Sequence, residues 1–107
     1  MKEYAYTVLL KDDPKLIAEY KKQHAAVWPE VVASFKELGV QRIRIWLRAR
    51  QLFMVLDAQD SFDPAVAWPA HRAKGGRIIQ WEEWMDTFQD RVACPTGWVE
   101  LEKVCDI

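Results

Sequence analysis

The stretch VQRIRIWLRARQLFMVLD, residues 40–57, holds two apolar segments joined by a short polar turn. Its first half alternates between two sets of side chains, which is the period of a strand that buries one face. One set is Ile43, Ile45 and Leu47, and the other is Arg42, Arg44, Trp46 and Arg48. The second half, LFMVLD, is rich in strand-forming residues. The stretch therefore predicts a β-hairpin in the middle of the chain.

The residues before the hairpin predict one strand and two helices. The segment YAYTVLL, residues 4–10, has the composition of a strand. Asp13 precedes Pro14, as a helix N-cap precedes the first helical residue. Pro29 interrupts the helix that follows, because the residue before a proline disfavours the helical conformation. The same proline opens a second helix, which Gly39 ends.

The residues after the hairpin predict one helix and a last strand. Residues 58–76 contain two prolines and a glycine pair, so they predict at most a short helix from Asp63 within a loop that covers the site. The segment RIIQWEEWMDTFQDRV, residues 77–92, predicts a longer helix. Its buried face would be Ile78, Trp81, Met85, Phe88 and Val92. The closing segment WVELEKVCDI, residues 98–107, predicts a strand.

The elements follow one another as β-α-β-β-α-β, the order of the split ferredoxin-like fold. We therefore predict a single α+β domain over residues 1–107, with a four-stranded antiparallel sheet and its helices on one face. The strands carry apolar residues on both sides, Trp46 and Phe53 among them, and an exposed apolar face predicts a partner surface. The simplest partner is a second copy, so we expect a homodimer.

Composition narrows the class of protein. The formal net charge of the 107 residues is −1, which argues against nucleic acid or an anionic membrane as partner. No apolar run has the length of a membrane span, and the N-terminal segment is too polar for a signal peptide. Cys94 and Cys105 lack metal-binding spacing and fit reduced thiols in a cytoplasmic protein. Without a cofactor or metal motif, a small acid–base enzyme or a binding module remains.

Two helical segments carry candidate residues for chemistry. Tyr20, His24 and Trp28 share one helix face, and an imidazole can exchange a proton near neutrality. A buried stripe with one hydrogen-bonded histidine explains the same spacing, and spacing alone favours it.

Trp81 offers a surface for stacking on a sugar, and Glu82 offers a hydrogen-bond acceptor or an acid–base group. A packed helix with its tryptophan in the core is the simpler interpretation.

Two further features favour structural interpretations. The arginines of RIRIWLRAR resemble a phosphate-binding patch, but the acidic segment VELE and the net charge favour Arg–Glu pairs across strands. His71 is a second candidate acid–base residue, although its setting among prolines and glycines predicts a solvated loop histidine.

The segment YKKQHAAVWPEVVASFKELGV, residues 20–40, resembles the L-rhamnose mutarotases, in which Tyr-x-x-x-His-x-x-x-Trp-Pro-Glu precedes a helix that ends in glycine. The similarity extends through the hairpin and the late tryptophan-containing helix. This resemblance implies a ferredoxin-like domain that dimerises into an α+β barrel. It also implies a cofactor-free enzyme that interconverts the α and β anomers of a 6-deoxy sugar.

The resemblance implies roles for individual residues as well. His24 corresponds to the catalytic histidine, Tyr20 to a substrate-facing tyrosine, and Trp81 to a tryptophan of the sugar pocket. Two positions depart from the family pattern, since Glu82 replaces a second tryptophan and Ile43 replaces a tyrosine. Both belong to the substrate-binding pocket, so the departures put L-rhamnose itself in doubt and fit a related sugar such as L-fucose. The second proton-transfer group stays open among Tyr20, Glu82, His71 and water.

Two other functions suit the same fold. One is a cofactor-independent monooxygenase of the dimeric α+β-barrel type, since one fold hosts many activities. The other is a non-catalytic sugar-binding protein, which would keep the aromatic residues without needing His24. The Tyr-His-Trp-Pro-Glu motif favours the mutarotase.

Overall fold

The computed structural model describes residues 1–107, in which four helices pack against one face of a four-stranded sheet. The elements are β1 (Lys2–Leu9), α1 (Pro14–His24), α2 (Pro29–Glu37), β2 (Val40–Arg48), β3 (Gln51–Ala58), α3 (Pro64–Ala73), α4 (Gly76–Asp86) and β4 (Val99–Glu100). The strands lie in the order β2-β3-β1-β4, and every neighbouring pair is antiparallel. This is the ferredoxin-like arrangement, so the predicted fold is confirmed.

The first crossover, from β1 to β2, follows from its capping residues. The Asp13 carboxylate accepts hydrogen bonds from the backbone N–H groups of Lys15 at 2.9 Å and Leu16 at 3.4 Å, which caps α1. Pro29 is the first residue of α2. Gly39 follows that helix with φ of +100°, a conformation that residues with a Cβ atom rarely adopt. All three predicted helix boundaries are confirmed.

The hairpin of β2 and β3 has the predicted strands. Ile45 pairs with Met54 on the helix-facing side, while Trp46 projects from the other side and is 53% exposed. The expected pairing of the arginines with the acidic C-terminal segment is wrong, because β2 and β4 occupy opposite edges of the sheet. Arg44 instead contacts Asp57 on β3 at 3.0 Å.

The second crossover, from β3 to β4, differs from the prediction. The loop expected over residues 58–76 is largely α3, a helix of ten residues with Pro69 in its interior. Pro69 cannot donate to the carbonyl of Ala65. Both residues are exposed, so water can satisfy that carbonyl at little cost. Gly75 and Gly76, with φ of +63° and +53°, then reverse the chain into α4.

The last helix and the last strand are shorter than predicted. The helix ends at Asp86, and Val92, expected on its buried face, is 95% exposed. The chain leaves the helix because it pairs with the end of β1, where Leu10 forms a bridge to Gln89. The strand β4 covers only Val99–Glu100, and residues 101–107 are exposed. The predicted strand over 98–107 is therefore wrong in its extent.

Two apolar clusters fill the space between sheet and helices. The first contains Val8, Leu10, Tyr20, Val31, Leu52, Trp81, Met85 and Phe88. The second contains Tyr6, Val40, Leu56, Ala58, Phe62 and Ala67. Phe35 of α2 packs against both. None of the four helices has the length and apolar character that crossing a bilayer requires.

Candidate functional site

His24 is the last residue of α1, and its imidazole has a defined tautomer. Its Nδ1 lies 2.9 Å from the carbonyl oxygen of Tyr20. A carbonyl oxygen only accepts, so Nδ1 carries the hydrogen and donates it, which leaves a lone pair on Nε2. Burial lowers the pKa of His24, and the bond to the Tyr20 carbonyl opposes this shift. The neutral imidazole is thus favoured, with a free base at Nε2.

Tyr20 lies one helical turn before His24 and supports its ring. The two rings stack with centroids 3.9 Å apart and planes inclined by 21°. Tyr20 is only 5% exposed, and burial raises the pKa of its phenol far above the usual 10.0. The phenol therefore keeps its proton at neutral pH. It can donate a hydrogen bond, but it is a poor candidate for the base of a proton transfer.

Trp81 of α4 completes this group. Its ring centroid lies 5.4 Å from that of His24, 5.2 Å from Trp28 and 5.9 Å from Trp84. The neighbouring rings leave Trp81 only 6% exposed, so it belongs to the core and also touches the histidine. In addition, the Arg77 guanidinium lies 3.6 Å from the centroid of the Trp28 ring, where it covers the α1–α2 corner.

Glu82 follows Trp81 and projects toward α3. Its Oε2 lies 3.3 Å from Nε of Arg72, and its Oε1 lies 3.7 Å from Nε2 of His71. The side chain is 30% exposed. Burial raises the pKa of Glu82, Arg72 opposes this shift, and Asp86 adds to it.

The structure brings together only part of the predicted site. Tyr20, His24 and Trp81 are in contact, whereas Ile43 packs against the second apolar cluster. Glu82 faces His71 and Arg72 of α3 rather than His24. The roles assigned to these five residues stay predictions.

The interpretation of His71 as a solvated loop residue is wrong. His71 lies on α3 and is 1% exposed. Its ring stacks on Phe35 with centroids 4.5 Å apart, and its Nδ1 lies 2.7 Å from Oγ of Ser34. Sequence reasoning did not single out Ser34. Its place three residues after the buried Val31, on the apolar face of α2, is the signal that would have found it.

Two surface hollows lie elsewhere. One, of about 500 Å³, is lined mainly by charged residues beside the end of α4, including Lys11, Asp86 and Asp90. The other, of about 210 Å³, lies between α3 and the end of α2 and is lined mainly by apolar residues. No three His, Cys, Asp or Glu side chains come together as metal ligands would.

The fold and the residues around His24 define a small ferredoxin-like domain with a partly buried histidine at the end of its first helix. The family model of L-rhamnose mutarotase matches residues 3–107. The chain therefore belongs to the L-rhamnose mutarotase family, and the resemblance of its first helical region is confirmed.

Individual relatives agree with this assignment. The chain is 38% identical to an L-fucose mutarotase of Xanthomonas campestris over 91 residues, which cover 83% of this chain and 72% of the relative. It is 33% identical to a UPF0734 protein of Dictyostelium discoideum over 92 residues, which cover 86% and 74% of the two chains. The crystal structure of an L-rhamnose mutarotase from Formosa agariphila superposes with a TM-score of 0.73 at 19% identity, over 100% of this chain and 99% of that one. That last likeness supports the fold.

Proposed function

We propose that this chain is an isomerase that interconverts the α and β anomers of a 6-deoxy sugar. The observation that carries the proposal is the 2.9 Å contact between His24 Nδ1 and the Tyr20 carbonyl oxygen, which commits Nδ1–H and leaves the lone pair of the neutral imidazole on Nε2. Membership of the L-rhamnose mutarotase family supplies the class of reaction. Mutarotation requires proton transfer at two oxygen atoms of the sugar and no redox step.

The proposed reaction has two halves. Nε2 of His24 takes the proton of the anomeric hydroxyl, while a water molecule, one of the candidates for the second proton-transfer group, gives a proton to the ring oxygen and remains as hydroxide until ring closure returns that proton. The C1–ring oxygen bond breaks, and C1 becomes the aldehyde carbon. Rotation about the C1–C2 bond presents the other carbonyl face, and reversal of the same proton transfers closes the ring as the other anomer. General acid–base assistance of this kind contributes roughly 10²–10⁴-fold.

Tyr20 and Trp81 support this reaction in different ways. The protonated phenol of Tyr20 holds the His24 ring by stacking and can donate a hydrogen bond to a sugar oxygen. Trp81 packs beside the imidazole, with ring centroids 5.4 Å apart, and contributes an apolar surface there. We assign no sugar contact to Ile43, because its side chain packs against the second apolar cluster.

Exchange NMR on sugars at anomeric equilibrium tests the function. Saturation of one anomeric proton of L-fucose or L-rhamnose should attenuate the signal of the other anomer in proportion to added protein. L-galactose, which carries a hydroxymethyl group where L-fucose has its methyl group, is the matched control for the 6-deoxy preference. No acceleration with any of these sugars would overturn the mutarotase, while tight binding without exchange would indicate a non-catalytic sugar-binding protein.

We also propose that two chains associate through the open face of the sheet. Thr7 pairs with Phe53, and Phe53 pairs with Trp46, so these side chains form one row on the side away from the helices. Trp46 is 53% exposed, and the buried Nε of Arg44 on the same face has no hydrogen-bond partner. A second sheet would cover the row and could offer that donor an acceptor.

Analytical ultracentrifugation tests this association. The wild-type chain should sediment with twice the mass of one chain, and Trp46→Glu should shift it toward a single chain. Val66→Glu is the matched control, because Val66 is 65% exposed on α3, away from the open face. A wild-type protein that sediments as one chain at micromolar concentration would end the dimer proposal.

We place the protein in the cytoplasm, where Cys94 and Cys105 would stay reduced.

A further inference from the structure

The aromatic group around His24 is closed to a ligand of the size of a sugar. Trp81, the ring that would contact a pyranose, is only 6% exposed, and Tyr20 is only 5% exposed. A sugar packs on an indole only where part of the ring is free. A sugar that binds at His24 therefore requires one of the rings that cover Trp81 to move.

Trp28 is the covering ring that the backbone leaves free to move. The other rings in contact with Trp81 lie within α1 and α4, where helical hydrogen bonds fix the backbone. Trp28 lies instead in the α1–α2 corner, residues 25–28, between two helices. The N–H groups of Val27 and Trp28 make no backbone hydrogen bond, and no side chain caps α2. Segments with so few hydrogen bonds open at a low cost in free energy.

Side-chain contacts hold this corner in place. Val27 and Trp28 pack against the first apolar cluster. The Trp28 ring meets that of Trp81 with centroids 5.2 Å apart and planes inclined by 64°. The Arg77 guanidinium lies 3.6 Å from the centroid of the Trp28 ring, where a cation is attracted to the face of an indole. Arg77 thus acts as a latch on the ring that covers Trp81.

The latch formed by Arg77 is weak enough to open. Its guanidinium reaches Oε1 of Gln80 only at 3.5 Å, the outer limit of a hydrogen bond. The Arg77 side chain is exposed, so water competes with the indole for the guanidinium. A cation–π contact at an exposed site changes a conformational equilibrium by about two- to fivefold. Such a contact favours the closed form without locking it.

We propose that the Trp28 indole is a gate to the candidate site, and that Arg77 holds this gate closed until a sugar enters. The inference rests on the proposed function, because it assumes that a sugar reaches His24 and Trp81. Rotation of the Trp28 side chain away from Trp81 breaks the contact with Arg77 and uncovers the indole of Trp81. The open form is a minor state of the free protein, and the sugar selects it.

The gate predicts that a weaker latch improves the apparent affinity for the sugar. When only a fraction of the protein is competent to bind, the apparent dissociation constant is the intrinsic constant divided by that fraction. Arg77→Ala removes the latch and should raise the open fraction about two- to fivefold. KM should therefore fall about two- to fivefold, while kcat stays within about twofold of the wild type.

Steady-state kinetics from the NMR exchange assay test this relation. A general loss of stability in Arg77→Ala would reduce the active protein, but it would not lower KM. Arg77→Lys keeps a cation for the indole and should restore most of the wild-type KM. Trp28→Phe attracts the cation less strongly and should lower KM as Arg77→Ala does. Glu83→Ala, on the exposed side of α4, is the matched control and should match the wild type.

Fluorine NMR observes the gate without any sugar. In protein labelled with 5-fluorotryptophan, the signals of Trp28 and Trp81 should show relaxation dispersion with a common rate, as expected for exchange between two states. Arg77→Ala should increase the fitted open population about two- to fivefold. Trp68, which packs against Tyr6 in the second apolar cluster, is the internal control and should show no such exchange.

The outcomes separate the gate from the proposed function. Absence of anomer exchange by the wild type with every sugar tested overturns the proposed function and the gate with it. Exchange by the wild type with an unchanged or raised KM in folded Arg77→Ala overturns the gate alone. Fluorine signals of Trp28 and Trp81 without dispersion, in both the wild type and Arg77→Ala, overturn the gate as well, since the ring then does not move.

Discussion

Replacement of His24 by asparagine removes the proposed base and little else. The asparagine Nδ2 lies close to the position of the histidine Nδ1, so it can still donate to the Tyr20 carbonyl across the 2.9 Å contact. The Nε2 lone pair disappears. Loss of general acid–base assistance should lower kcat by roughly 10²–10⁴-fold, or about 2.7–5.4 kcal/mol of transition-state stabilisation. KM should stay within about threefold of the wild type.

The same contacts determine how far His24→Asn lowers the free energy of unfolding. The hydrogen bond to Tyr20 is retained, whereas the stacking of the rings at 3.9 Å is lost, at about 0.5–1.5 kcal/mol. His24→Phe is the complementary variant, since it keeps the stacking and loses both the hydrogen bond and the base. Both variants should therefore fold and both should be slow.

Exchange NMR measures the rate of anomer exchange for each variant, after subtraction of the uncatalysed rate. Lys22→Ala, at an exposed position of the same helix, is the matched control and should behave as the wild type. The pH dependence adds a second criterion, because the pKa of His24 is lowered by burial and the rate should fall only as the pH drops below the usual imidazole range. A folded His24→Asn protein that retains kcat within about threefold would refute the assignment of the base.

Three predictions concern stability. Asp13→Ala should lower the free energy of unfolding by about 1 kcal/mol in denaturant titrations, because it removes the cap of α1; an unchanged midpoint would contradict the cap. Arg77→Ala should cost about 0.5–1 kcal/mol through the cation–π contact with Trp28, while Glu83→Ala on the exposed side of α4 should cost less. The pKa values of His24 and His71 are lowered in the folded state from 6.5, so the unfolded chain binds protons more readily; unfolding free energy should be greatest above that pH and fall as the pH decreases below it, with a shallower fall in His71→Gln.

Parts of the fold that depend on local signals were predictable. The cap at Asp13, the start at Pro29 and the stop at Gly39 each act within a few residues. The alternation in β2 needs no distant partner either. The confirmed elements are therefore those whose physical causes lie inside the element itself.

The errors lie where a distant contact decides the structure. Pro69 is tolerated in α3 because it lies on the exposed side of a helix whose other side packs on α2, which the segment alone does not show. The end of α4 is set by the bridge between Leu10 and Gln89, from opposite ends of the chain. Ser34 and His71 are 37 residues apart, so neither identifies the other in the sequence.

The Tyr20–His24 face of the first helix was consistent with either a buried core or an active site, and the burial of Tyr20 shows how it serves both. Tyr20 packs in the core at 5% exposure, and its ring and carbonyl are the two groups that hold His24. Without that packing the imidazole would rotate, titrate near its usual pKa and lose a defined tautomer. With it, His24 stays neutral and directs one lone pair outward. The same helix face therefore belongs to the core at Tyr20 and to the candidate site at His24. The packing of Tyr20 in the core is what holds His24 in place.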